Sequence, residues 1–134
     1  MRGAGWIIGV VLLVGDGLAG AAQAKEPQAP AAAPVTLRGE VVDPAAYLKD
    51  GSHGPALSDQ TYEAVDGGQT LALLEEGTAT VYLFLAEQPG EDPNELAYDF
   101  VGQQVIVRGI VHERGALRGI VPAAVEPAQP TDED

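Results

Sequence analysis

The stretch Val35-Thr-Leu-Arg-Gly-Glu-Val-Val42 and its echo Val105-Ile-Val-Arg-Gly-Ile-Val111 decide the fold of this chain. Both read apolar-x-apolar-Arg-Gly-x-Val. In the first, Val35, Leu37 and Val41 fall on one side and Thr36, Arg38 and Glu40 on the other, the period-two pattern of a half-buried strand. A glycine in the inward register lets a long strand bend sharply, so that one strand serves both halves of a small barrel. The shared pattern is too short to be a solenoid unit.

Three more strands follow from the runs around these two. Thr70 to Glu75 and Thr78 to Ala86 are apolar and rich in Leu, Val, Tyr and Phe, and Glu76-Gly77 between them supplies the residue a tight hairpin needs. Gln104 to His112 and Leu117 to Val125 flank Glu113-Arg114-Gly115-Ala116, another short reversal. Between the third and fourth strands, Leu96, Phe100 and Val101 stand at helical spacing after Asp92 and Asn94 and before Gly102. The sequence therefore predicts an all-β fold: a five-stranded OB-fold-like Greek-key barrel with one short helix between strands 3 and 4.

The ends read differently. Ile7 to Val14 is an apolar run behind Arg2, too short for a bilayer span of about 20 residues, and Ala22-Gln23-Ala24 has the small-x-small pattern of signal-peptidase cleavage. Residues 1–24 are expected to be a signal peptide cut after Ala24, placing the protein in the periplasm or outside the cell, with no stable membrane span after cleavage. Asp16 beside the run also leaves an uncleaved anchor open. Residues 25–34, with three prolines, read as a Pro/Ala-rich linker, residues 35–125 as the OB-fold-like domain and residues 126–134 as an acidic disordered tail.

The whole chain has 134 residues, a formal charge of -13 and no cysteine. That leaves room for one modest domain. The missing cysteines exclude disulfides, thiolate metal sites and a cysteine nucleophile. The charge repels phosphate backbones, so nucleic acid is not an expected partner.

Taken together, Val35-x-Leu-Arg-Gly-Glu-Val-Val-Asp43, Tyr47-Leu48, a glycine-histidine loop, Tyr82-Leu83 and Gly102-Gln-Gln-Val-x-Val-x-Gly109-x-Val-His112 resemble small secreted bacterial OB-fold proteins. The resemblance covers about residues 35 to 125 and implies the barrel and export. Proteins of this look often carry a cysteine before the Tyr-Leu pair, where this chain has Ala46. No thiol chemistry carries over.

Candidate binding residues come from two places. The connection from Pro44 to Gly68 reads as a long loop holding Tyr47, Lys49, Asp50, His53, Asp59 and Tyr62, side chains able to stack on and hydrogen-bond a polar ligand. It either does that or wraps an open barrel end with Tyr47 and Leu48 buried. Tyr82 and Phe84 share one face of strand 3, which is apolar on both sides, so one side is core and the other is covered or free for recognition. Arg38, Arg108 and His112 form a possible cationic patch, unless the arginines pair with Glu40 and Glu113.

Catalytic signals are missing. Ser52-His53 are adjacent and cannot form a triad, and there is no G-x-S-x-G, no H-E-x-x-H and no phosphate-cradling loop. The expected function is a noncatalytic exported binding or accessory module that recognises a protein partner or small ligand, with no cofactor and no metal. The alternatives are a subunit of a larger envelope complex, or a metal-dependent protein using His53 with Asp50 and Asp59.

Overall fold

The computed structural model describes residues 32–128; the expected signal peptide, most of the linker and the last residues of the tail lie outside them. Five strands, β1 (Val35–Val42), β2 (Ala72–Glu75), β3 (Val81–Phe84), β4 (Gln104–Arg114) and β5 (Leu117–Pro127), close a barrel in the order β1-β2-β3-β5-β4. The β3–β5 pair is parallel and the other pairs are antiparallel. This is the OB-fold-like Greek-key barrel that the sequence predicts.

Closure depends on β1 changing partners. Val35 to Glu40 pair with β4 and Gly39 to Val42 pair with β2, so the two ladders overlap at Gly39 and Glu40. A Cβ on Gly39 would stand 2.9 Å from the Leu74 carbonyl carbon and 3.0 Å from Glu75 Cα. At Gly109 the Cβ would stand 2.9 Å from Pro122 Cα, where the β4–β5 register shifts as a bulge. Both glycines are needed because neighbouring backbone passes where a side chain would be. Inside, Val41, Leu73, Phe84, Val105, Val107 and Ile120 bring all five strands into one buried cluster.

The connection from β1 to β2 is not the loop the sequence suggested. It folds into α1 (Pro44–Asp50), a 3-10 turn at Pro55–Leu57 and α2 (Ser58–Asp66). The Asp43 side chain caps α1 by accepting from Ala45 N at 2.9 Å, Pro44 occupies its first turn, and Gly51 ends it at φ 79. Seven residues are too few for an apolar periodicity to show. Leu48, expected to be buried under the wrapping reading, is 77% exposed.

The helix expected between strands 3 and 4 shrinks to a 3-10 turn at Tyr98–Phe100. The cause is long-range. Buried Asn94 spends its side chain on the approach to β2, accepting from Leu71 N at 2.7 Å and donating to Gln69 O at 3.2 Å. By Val101 the chain is already extended, in a parallel bridge with Val41. Boundaries also move: β2 starts at Ala72 and β3 ends at Phe84, β4 runs on to Arg114, β5 continues through Glu126 and Pro127, which pair with Ile106 and Val105, and the β2–β3 reversal spans Glu76 to Thr80. No helix among the described residues is long and apolar enough to cross a membrane.

The wider β2–β3 turn holds Ala79 at φ 58, in the left-handed region that costs an L residue about 1–2 kcal/mol. Ala79→Gly is expected to stabilise the protein by roughly 0.5 kcal/mol once the greater freedom of the unfolded chain is subtracted. A rise in the urea midpoint at unchanged slope would show it; a fall would mean the turn is not strained.

Candidate functional site

A hollow of about 540 Å³ lies on the outer face of β1 between the α1 connection and the β2–β3 turn. Strand alternation puts Arg38 and Glu40 on that face, β2 adds Leu74, and Gln104 of β4 stands opposite Glu40 in the ladder. Tyr47 in the middle of α1 and His53 just beyond the helix form the other wall.

Glu40 is the unusual member. Only 6% of it is exposed, because the connection after β1 folds back over its side of the strand. Its Oε1 lies 2.9 Å from His53 Nδ1, while Oε2 is buried with no hydrogen-bond partner among the described residues. An acceptor buried without a partner costs about 1–3 kcal/mol, and more when it is charged, so such an atom calls for an explanation. Tyr47 meets His53 edge to face, with ring centroids 5.8 Å apart, and steadies the imidazole over the carboxylate.

The rim is made of groups already engaged with one another. Arg38 Nε donates to Glu76 Oε1 at 2.9 Å. Glu75 Oε1 accepts from Thr78 Oγ1 at 2.8 Å, and the Tyr82 hydroxyl lies 3.4 Å away. Burial, reinforced by the Glu75 charge, holds the Tyr82 phenol above its ordinary value. Tyr98, whose hydroxyl donates to Asp66 Oδ1 at 3.2 Å, is also held up, first by burial and then by that carboxylate.

These raised phenols set an alkaline limit. With a folded value above the unfolded one, their contribution is fully present below about pH 10 and is lost as the pH rises through the folded values, because the unfolded chain ionises first. Urea midpoints measured from pH 9 to 11 should fall for the wild type. They should fall less for a Tyr82→Phe/Tyr98→Phe double variant, and equal slopes would remove these two residues as the cause.

The sequence-selected residues part company. Tyr47, His53 and Arg38 meet at the cleft. Tyr62 instead packs from α2 against the core and makes an edge-on contact with Tyr98, with centroids 4.9 Å apart. Phe84 is 1% exposed in the barrel interior and presents no surface to a ligand. Tyr82 packs against the core with its hydroxyl towards the cleft's Glu75.

Arg108 is exposed on β4 opposite Thr36, and His112 is exposed farther along the same strand beside a second hollow of about 250 Å³ with Leu83, Leu85 and Leu117. His112 therefore lines a different hollow from Arg38, while Arg108 stands diagonally across the β1–β4 ladder from Arg38, two positions on from its partner Ile106. The expected pairings do not hold: Arg38 goes to Glu76 rather than Glu40, and Glu113 goes to Arg118 at 3.2 Å.

Glu40, Gln104 and Glu76 are cleft residues that the sequence reading did not select as ligand contacts. Alternation marked Glu40 as a solvated outer-face residue, and nothing local announces that a segment ten residues later will cover it. Asp50 is held below its ordinary value, chiefly by the Ser52 hydroxyl and then by the Ser52 backbone N–H. Ser58 Oγ donates to Val101 O at 3.3 Å. Among the described residues no three of His, Asp and Glu converge as a metal site, so His53, Asp50 and Asp59 are not brought together as one.

Searches of protein-family models, curated proteins and solved structures returned no match to this chain.

Proposed function

We propose that this protein is a noncatalytic binding module that works outside the cytoplasm and captures a small polar ligand in the cleft over β1. The observation that carries the reading is Glu40: a carboxylate with one oxygen held by His53 and the other unpartnered among the described residues, at the wall of a 540 Å³ hollow. Ligand sites of this kind combine an apolar wall with a few convergent polar groups, and here Leu74 and Tyr47 accompany Glu40, Gln104 and Arg38. Export rests on the pattern of residues 1–24.

A noncatalytic role is favoured because the hydroxyls nearest His53 in sequence are engaged elsewhere, Ser52 with Asp50 and Ser58 with Val101. Binding in place of catalysis then needs only the preformed cleft.

The test is a thermal-shift screen of small polar metabolites against the wild type and Tyr47→Ala. A ligand at a hundred times its Kd stabilises by about 2.7 kcal/mol, a rise of several degrees for a domain of this size. At least one compound should raise the wild-type melting temperature and lose most of that effect on Tyr47→Ala. Equal shifts in both proteins, or none in the wild type, would reject the cleft as the binding site.

A further inference from the structure

We infer that the ligand of this cleft presents a protonated alkylamine to Glu40. The inference rests on the cleft being the binding site and adds the chemical class of what enters it.

The charge balance of the walls points this way. Among the described residues Glu40, Glu75 and Glu76 line the cleft against one permanent cation, Arg38, which is bonded to Glu76. Glu75 is served by the neutral hydroxyls of Thr78 and Tyr82. The remaining carboxylate, Glu40, receives only the imidazole of His53 among the described residues. An entering anion would meet a net negative wall, and a neutral alcohol would leave that charge uncompensated in a largely buried place.

An alkylammonium offers three N–H donors at one point and a positive charge, which matches a carboxylate with a vacant oxygen. The rest of the cleft suits the aliphatic part of such a ligand. Leu74 forms an apolar wall, Gly77 and Ala79 of the turn add no charge, and the Tyr47 ring, packed on the imidazole that holds Glu40, lines the same cleft, where a cation gains from an aromatic face.

His53 already shows the chemistry on a small scale. Its Nδ1 sits 2.9 Å from Glu40 Oε1, a nitrogen donor placed on the carboxylate by the chain itself. With 42% of its side chain exposed, the imidazole is the part of this pair that an entering amine meets first, and the amine would displace it from the carboxylate. Gln104, opposite Glu40 in the ladder and part of the cleft lining, brings an amide oxygen that can accept a further N–H.

A free amine and the lysine side chain of a partner share this chemistry, and the experiment separates them. The 15N-labelled full chain is titrated with n-butylammonium, n-butanol, n-butyrate and the blocked tripeptide acetyl-Ala-Lys-Ala-amide, following the backbone amides of Tyr47, His53 and Gln104. n-Butylammonium should shift these signals saturably and at least tenfold more tightly than the alcohol or the carboxylate. Glu40→Gln should lose at least tenfold, while Glu113→Gln, at the far hairpin, should change nothing. Each variant's spectrum reports its folding, and Glu40→Asp, which keeps the charge, should recover part of the affinity.

Tighter binding of the tripeptide than of n-butylammonium assigns the amine to a partner's lysine; weaker binding assigns it to a free amine. Equal binding of alcohol and ammonium, or an unaffected folded Glu40→Gln variant, would overturn the amine assignment and leave the cleft as a site. Cleft signals unmoved by every probe would overturn the amine and the proposed site together.

Discussion

Gly39→Ala is expected to destabilise the barrel by about 4 kcal/mol or more, a large share of the 5–15 kcal/mol that holds a domain of this size together. The added methyl would press on the Leu74 carbonyl and stand 3.0 Å from Glu75 Cα, and neither is a flexible side-chain end that can turn away. Relief requires β2 to move off β1 at the point where β1 hands over from β4 to β2. The barrel would then open along that seam.

Gly115→Ala is the control. Gly115 has φ 61 in the β4–β5 turn and no atom near its missing Cβ, so only the left-handed conformation is penalised, at about 1 kcal/mol. Urea unfolding followed by far-UV circular dichroism checks both. Equal midpoints for the two variants would mean that close backbone approach at Gly39 does not govern closure.

The second large effect is at Asn94. Its side chain ties the β3–β4 segment to the Gln69–Leu71 approach to β2, accepting from one backbone N–H and donating to one carbonyl. Asn94→Ala leaves Leu71 N, in a fully buried residue, without its acceptor and Gln69 O without its donor. At about 1–3 kcal/mol for each stranded group, the loss should be near 3 kcal/mol. Asn94→Asp keeps the acceptor for Leu71 but sets a carboxylate against the Gln69 carbonyl, so its loss should be of the same order. A loss under about 1 kcal/mol for Asn94→Ala would show that water or a rearranged backbone replaces the amide.

The strands were legible because each carries its own signal. Val35 to Val42 and Val105 to Val111 alternate, and Gly39 and Gly109 mark the places where neighbouring backbones crowd. The Asp43-Pro44 start and Gly51 end of α1 were also present in the chain, but a seven-residue helix without an apolar stripe reads as a loop. Asn94 misled in the opposite direction. A good helix-capping residue by type, it is committed to Leu71, a partner 23 positions away that no local rule anticipates.

The candidate site was half visible. Tyr47 and His53 stand out as an aromatic and an imidazole in a long connection, and Arg38 as a charge repeated in two strands. Glu40 did not, because its role comes from burial, and burial was decided by where α1 and His53 came to rest. Phe84 and Tyr62 were plausible by type but face the core. Alternation says which residues share a face, and only the closed barrel says which face is inside.

Whether Glu40 is kept for a ligand or for the fold is open to one direct measurement, the stability of ligand-free Glu40→Met. A buried carboxylate that, among the described residues, has one unpartnered oxygen and a partly exposed histidine on the other contributes little to folding, and an apolar side chain of similar size removes the desolvation cost. The urea midpoint of Glu40→Met should equal or exceed that of the wild type. A loss of about 2 kcal/mol or more would make the Glu40–His53 contact a structural pair and contradict its reading as a binding site.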